Sequence, residues 1–252
     1  DEEGPAINGT VKLLQWAKEN GHSFDHCIVG EPTNVEMLGD MIKIGRRGSF
    51  SGTITITGQQ GHVAYPHLAK NPISGMARMI ELLTFEPLDA GSEHFQPSNL
   101  EIVNLDSSNR AWNVIPGKAE LRFNIRFNNH WDAGKLEQII RQRMADCAGE
   151  TGLEITLALE PVVSDVFLTE PGHLVDILTN AIHDVTGVQP ELSTNGGTSD
   201  ARFIKDYCPV IEFGLVNRTI HQTNEHVSLD DLKHLTEIYY RMIAGYFSNS
   251  EA

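Results

Sequence analysis

The first four residues, Asp1-Glu2-Glu3-Gly4, place adjacent carboxylates in a single turn. Such a pair can divide its labour, one carboxylate gripping a cation while its neighbour takes a proton. A solvated acidic terminus has the same composition. Glu31, in the string VGEPT, follows a short apolar run and is either a turn residue or a ligand at a strand end. His221 lies in RTIHQTNEH, and a lone histidine packs or faces solvent as readily as it ligates. Together Glu3, Glu31 and His221 offer carboxylate oxygen and imidazole nitrogen, donors that zinc, manganese or cobalt accept. Their wide separation in sequence means that only a fold can join them.

Four further strings carry polar chemistry. Gly61-His62-Val63-Ala64-Tyr65-Pro66-His67 exposes His62 and Tyr65 at a turn, where His62 either stabilises an oxyanion or caps the turn. Arg46-Arg47-Gly48 ends a further expected strand and is either a solvated pair or a carboxylate clamp, since guanidinium meets carboxylate with two parallel hydrogen bonds. Gly196-Gly197-Thr198-Ser199-Asp200 offers backbone N–H groups and hydroxyls at a helix start, suited to an anion or to simple capping. Asn113, in NVIP, either donates to a substrate oxygen or shapes a turn.

The elements that must hold these groups follow from periodicity. Residues 7–20 predict a helix with Val11, Leu14 and Ala17 on one face and Leu13 and Trp16 beside it, stopped by Gly21. His26 to Gly30 predicts a buried strand. Residues 51–57 alternate as a strand. Asn71-Pro72 opens a helix with Ile73, Met76, Ala77, Ile80 and Leu83 as its apolar face. Strands are expected at 100–105, at 119–127 and at 153–159, with a helix from Asp132 between the last two. The order β-α-β-β-α-β is ferredoxin-like and predicts a self-contained block over 47–165. Helices over 173–186, 201–206 and from Ser228, with a buried strand at 209–213, follow that block. Leu232, Leu235, Ile238, Tyr239, Met242 and Tyr246 are expected on the buried face of the last helix. The block is therefore read as inserted into an α/β domain made of 1–46 and 166–252.

Composition bounds the function. The 252 residues carry a formal net charge of −15, which opposes binding to nucleic acid or anionic lipid. No apolar run has membrane-spanning length, and the first residues lack a basic, apolar leader pattern. Three widely spaced cysteines, Cys27, Cys147 and Cys208, predict buried thiols in a reducing compartment, hence the cytoplasm.

Taken together the strings are specific. DEEG at 1–4, VGEPT at 29–33, IGRRGS at 44–49, GHVAYPHLAKNPI at 61–73, NVIPG at 113–117, GGTSDARF at 196–203 and TIHQTNEHV at 219–227 give a sequence that resembles the M20 metallopeptidase family from its first residue to its last helix. The resemblance implies an α/β phosphorylase/hydrolase-like catalytic domain with the ferredoxin-like block as lid and homodimerisation domain. It implies a two-metal amide hydrolase, with two Zn2+ per subunit or Co2+ in their place, that removes a succinyl group from a diaminopimelate precursor of lysine. Glu2 is then the general base, Glu3, Glu31 and His221 are metal ligands, and His62 acts on the neighbouring subunit's site. Arg46, Tyr65, Asn113, Arg126, Gly197, Thr198 and Asn217 match positions that hold the substrate.

Two departures accompany the resemblance. The family's upstream part, with a metal-binding His and a bridging Asp, is not among these residues, which implies an incomplete catalytic domain that is inactive alone. The stretch before NVIP reads LDSSNRAW where relatives carry a small, glycine-rich run. The competing expectations are another deacylase of the family, such as an acetylornithine deacetylase, and a non-catalytic dimerising fragment.

Overall fold

A computed structural model of the chain describes residues 6–160 and 164–248. In chain order the elements begin with α1 (Thr10–Glu19), β1 (Cys27–Val29), β2 (Met41–Lys43), β3 (Gly45–Arg46), β4 (Gly48–Thr57), β5 (Gly61–His62) and α2 (Pro72–Thr84). They continue with β6 (Asn99–Asp106), β7 (Val114–Ile115), β8 (Lys118–Phe127), α3 (Ala133–Thr151), β9 (Glu154–Leu159) and β10 (Phe167–Leu168). The remainder is α4 (His173–Thr186), β11 (Glu191–Ser193), α5 (Ala201–Ile204), β12 (Val210–Glu212) and α6 (Leu229–Ser248). Two compact units divide the chain: Asp1–Arg46 with Phe167–Ala252, and Arg47–Val166.

The continuous unit is an antiparallel sheet in the order β6-β8-β4-β9, with α2 and α3 packed on one face. Strand alternation decides which residues face the helices. Ala119, Leu121, Phe123, Ile125 and Phe127 of β8 are all buried, while Glu120, Arg122, Asn124 and Arg126 take the other face. Gly48 pairs with Phe127, and a Cβ there would sit 2.1 Å from the phenylalanine ring, so only glycine fits. Asn71 caps α2 through Ile73 N–H, with Pro72 at the first helical position. The buried face of α2 is rotated from the expected one. Gly75, Met76, Met79 and Leu83 are buried, Ile80 is partly buried, and Ile73 and Ala77 are exposed. Gly75 explains the rotation: its missing side chain lets the helix approach Leu153 and Ile56 closely, which periodicity scored on apolar residues misses.

Asp89 organises the loop between α2 and β6. It accepts from Gly91 N (2.7 Å), Ser98 N (3.1 Å), Asn128 Nδ2 (2.6 Å) and Trp131 Nε1 (2.8 Å). Burial pushes its pKa upward, but the hydrogen bonds from Ser98, Gly91 and Trp131 win and hold it at about 2. Because the folded state depresses this pKa, the stabilisation is complete above the ordinary carboxylate range and is lost as pH falls from about 4 to about 2. Asp89→Asn is expected to cost this unit about 1.5–3 kcal/mol at pH 7 and to flatten that acid dependence. Urea melts followed by Trp131 fluorescence at pH 7 and pH 3 read both effects, and an unchanged acid slope in the variant would contradict the assignment.

The discontinuous unit holds a mixed sheet in the order β1-β12-β2-β11. β1 runs parallel to β12 and β2 parallel to β11, whereas β12 meets β2 antiparallel at Glu212 and Lys43. β2 and β12 are buried throughout, as strands covered on both faces are. α4 and α6 pack over the sheet through Leu174, Leu178, Ile182, Leu235 and Ile238. Ser228 Oγ caps α6 by accepting from Asp230 and Asp231 N–H. Tyr239, Met242 and Tyr246 pack against this core as expected, but Leu232 is exposed, one turn before α6 reaches the sheet. Leu13 and Trp16 of α1 are likewise exposed, leaving Leu14 and Ala17 as its buried pair. The strand expected to end at Arg46-Arg47-Gly48 is present as two short pieces, 41–43 and 45–46, whereas the strands at 167–168 and 191–193 are not expected from the sequence, since two or three residues give no periodicity to read. Cys147 and Cys208 are buried and Cys27 is half-buried, all as free thiols.

Candidate active site

In the discontinuous unit, Glu31 leaves the C-terminal end of β1, where ligands gather in open α/β sheets. The turn it opens is stitched to the segment after β12. Asn34 Nδ2 donates to Gly214 O (2.6 Å), Asn217 N donates to Asn34 O (2.8 Å), and Gly214 N donates to Thr33 Oγ1 (3.3 Å). A Cβ on Gly214 would lie 2.3 Å from Glu31 O, so glycine permits this approach. The contacts bring Asn217 beside the Glu31 turn, and His221 follows four residues later in the left-handed region, at φ 58°. Thr219 Oγ1 fixes that loop by donating to His226 O (2.9 Å). Glu2 and Glu3 lie outside the described residues. Among the described residues no group of three or more His, Cys, Asp or Glu side chains stands together in a manner able to hold a metal. Glu31 and His221 have donor types that zinc takes, and the third expected ligand, Glu3, lies outside the described residues.

The Arg46-Arg47 dipeptide resolves into opposite fates, because successive strand residues point to opposite sides. Arg46 is buried and is neither solvated nor open to an outside carboxylate. Its Nε donates to both oxygens of Glu212 at 3.0 Å, and Nη2 closes the ion pair. Its Nη1 donates to Gly197 O (3.0 Å) in the glycine-rich loop, where Gly197 is exposed and Thr198 half-buried. Ser199 Oγ also donates to Glu212, and Lys43 Nζ donates to Asn195 Oδ1. Burial, and then Arg46, push the Lys43 pKa down to about 8, against the pull of Glu212, Glu191 and Asp40. Glu212 and Lys43 were missed in the sequence. A charged residue inside an apolar strand run, as in PVIEF and MIKI, was the signal, since a buried charge requires a partner.

In the continuous unit, β5 and β7 form a two-stranded ribbon that pairs His62 with Val114. Val63 N donates to Asn113 O (3.1 Å), so His62 and the exposed Asn113 share one frame. The His62 Nδ1 accepts from Ala64 N (3.1 Å). A neutral ring accepting at Nδ1 carries its proton on Nε2, which makes Nε2 an outward donor. The exposed Tyr65 ring lies beside it, 5.9 Å between centroids. On the polar face of the sheet, Arg126 pairs in register with Ser49 and Asn99, and Arg47 Nη1 donates to Asn99 Oδ1 (2.9 Å). Burial lowers the pKa of both arginines, and that of Arg47 falls further because Arg126 is near. Among the described residues no carboxylate pairs with either guanidinium, and Arg47 Nε is buried without a partner. The two cations lie near each other on this face, and no anion among the described residues offsets them. Arg47, which the sequence reading passed over for Arg46, is the half-open member of the dipeptide.

Comparison with known proteins places this geometry. Residues 44–151 match a peptidase dimerisation domain of the M20 type. The chain is 57% identical over 249 residues to a protein of Methylorubrum populi named succinyl-diaminopimelate desuccinylase, covering 99% of this chain and 64% of that protein. A protein of the same name from Bradyrhizobium diazoefficiens is 53% identical over 247 residues, covering 98% and 63%. The chain thus spans just under two thirds of the length of these curated relatives. Among solved structures, aminopeptidase PepT from Bacillus cereus superposes with TM-score 0.74 at 18% identity, over 94% of this chain and 61% of that one. Human carnosine dipeptidase 1 gives 0.71 at 14% identity, over 97% and 64%. These distant likenesses speak for the fold alone. Identity above one half thus runs along nearly every residue to proteins of that one name, and residues 44–151 carry the M20 peptidase dimerisation domain.

Proposed function

We propose that the protein hydrolyses N-succinyl-LL-2,6-diaminopimelate to succinate and LL-2,6-diaminopimelate, in the cytoplasm, as a step towards lysine and meso-diaminopimelate. The observation that carries this reading is the 53–57% identity, over 98–99% of the chain, to proteins of that name. The unpaired Arg47–Arg126 cations supply what a polycarboxylate substrate needs and what a net charge of −15 otherwise denies. The free thiols agree with a reducing compartment, and among the described residues no helix is long and apolar enough to cross a membrane.

The active form is read as a homodimer through 47–165, supported by the matched dimerisation domain. Its edge strand β6 leaves one side unpaired and exposes Val103 and Leu105, an edge that a second copy can cover. Within such a dimer His62 Nε2–H serves the neighbouring subunit by donating to the oxyanion. Glu2 takes a proton from the attacking water and hands it to the departing amine. Arg126, Tyr65, Asn113, Asn217 and the Gly197-Thr198 loop orient the carboxylates and the amide. Glu3, Glu31 and His221 would hold Zn2+, or Co2+, which when bound lowers the pKa of water and polarises the carbonyl.

A hydrolysis assay in added zinc, with metal content measured alongside, tests the reading. Succinyl substrate is expected to exceed an acetyl analogue in kcat/KM by about 10²-fold or more, because the acetyl group leaves half-buried cations without an anion. Comparable turnover of acetyl-ornithine would make the protein a deacetylase. A second reading is favoured by the dimerisation domain matched at 44–151: the 252 residues alone dimerise and bind carboxylates without turnover. A metal-free dimer that binds succinate supports it, and two tightly held zinc ions per subunit with turnover exclude it.

A further inference from the structure

We propose that Glu212 is a positioning residue that, through Arg46 and Ser199, aims the backbone N–H of Thr198 at the substrate. This rests on the reading above, in which the Gly-Gly-Thr loop touches a substrate carboxylate.

Both oxygens of the Glu212 carboxylate are occupied: Arg46 Nε reaches each at 3.0 Å, Arg46 Nη2 adds a bond to Oε2, and Ser199 Oγ adds one to Oε1. Glu212 is 1% exposed and Ser199 1%, so these bonds face no competition from water. The remaining edge of the guanidinium turns to the loop, with Nη1 donating to Gly197 O at 3.0 Å and more weakly to Asn195 O at 3.4 Å. A trans peptide sets its C=O and the following N–H in opposite directions. Drawing Gly197 O inward onto Arg46 therefore turns Thr198 N–H outward, and the bond to Asn195 O does the same for Gly196 N–H.

The backbone fits the guanidinium closely. Gly196 has φ 98°, and a Cβ on it would lie 2.5 Å from Arg46 Nη1, so any side chain is excluded both by conformation and by space. Lys43 Nζ holds the Asn195 side chain from the next strand. Ser199 Oγ, besides donating to Glu212, accepts from Ala201 N at 3.3 Å and so ties the loop to α5. Thr198 hangs between two anchors, Arg46 and Ser199, that both lead back to one carboxylate. A pair serving stability alone would need only charge on charge. Here two nitrogens of the planar guanidinium hold Glu212 and the third is used on the loop, which a lysine cannot reproduce.

The test uses 15N relaxation and a succinate titration on the protein. Arg46→Lys keeps the charge but not the fork. Order parameters at residues 196–198 are expected to fall from about 0.85 to below about 0.6, with β1 and β12 unchanged. Succinate Kd is expected to rise about tenfold, as for one lost hydrogen bond to an anion. Should Arg46→Lys fail to fold, the double variant Arg46→Met/Glu212→Leu removes both charges while keeping apolar volume, and predicts the same mobile loop on an intact sheet. A loop that stays rigid in these variants overturns the proposal. So does a loop that loosens while Kd changes less than about twofold, well below the loss expected for one such bond. If the unaltered protein binds no succinate, the desuccinylase reading fails, and the order parameters still decide whether Glu212 positions the loop.

Discussion

His62→Ala is expected to lower kcat by about 10²–10³-fold in a catalytically active form of the protein, as loss of one oxyanion donor does, with KM little changed. The residue is exposed and its ring makes one backbone hydrogen bond, so thermal stability should stay within about 0.5 kcal/mol, as for surface substitutions. His62→Asn retains an N–H donor near the same place and should recover part of the rate. Mixing His62→Ala with Glu31→Ala gives the sharper measurement. If His62 serves the partner's site, a heterodimer of the two inactive variants contains one intact site, and activity returns on mixing. Activity that stays absent after demonstrated subunit exchange places His62 outside the reaction across the interface.

The second large effect concerns stability. Glu212→Ala removes the partner of a buried guanidinium and leaves Arg46 Nε and Nη2 without acceptors. An uncompensated buried charge costs about 3–5 kcal/mol, a large share of the stability of a domain this size. The melting of the discontinuous unit should fall steeply, while the continuous unit, whose core is separate, should melt as before. Arg46→Met in the Glu212→Leu background should return most of the loss, because well-packed apolar side chains replace a buried pair at little cost. A Glu212→Ala protein within about 1 kcal/mol of the original, the range of an exposed ion pair, would show that water reaches the pair and that its burial is not sustained.

The chemistry of these two residues shows why one was legible and the other was not. His62 stands in a string of turn and polar residues, so its exposure could be read, and the family resemblance supplied its role. Its tautomer could not be read, because that depends on Ala64 N–H folding back onto Nδ1. Glu212 sits in PVIEF, which announced a buried strand, and the same string concealed why a carboxylate belonged there. Its partners come from β3 and from the loop before α5, at separations of 166 and 13 residues. The Arg46-Arg47 pair makes the same point. The string offered two equal arginines, and alternation plus burial made one a strut bonded to Glu212 and left the other half-buried beside Arg126.

By itself the sequence determined the ferredoxin-like block, because alternation in β8, the caps at Asn71 and Asp132 and the helix period of α3 are local properties of short segments. It also carried the family resemblance, through strings that stand side by side along the chain. Tertiary structure alone decided which face of α2 is buried, which arginine is ion-paired and what holds the glycine-rich loop. Each of those depends on groups far apart in sequence competing for the same few hydrogen-bonding atoms in a space that water does not enter, and a linear pattern carries no record of that competition.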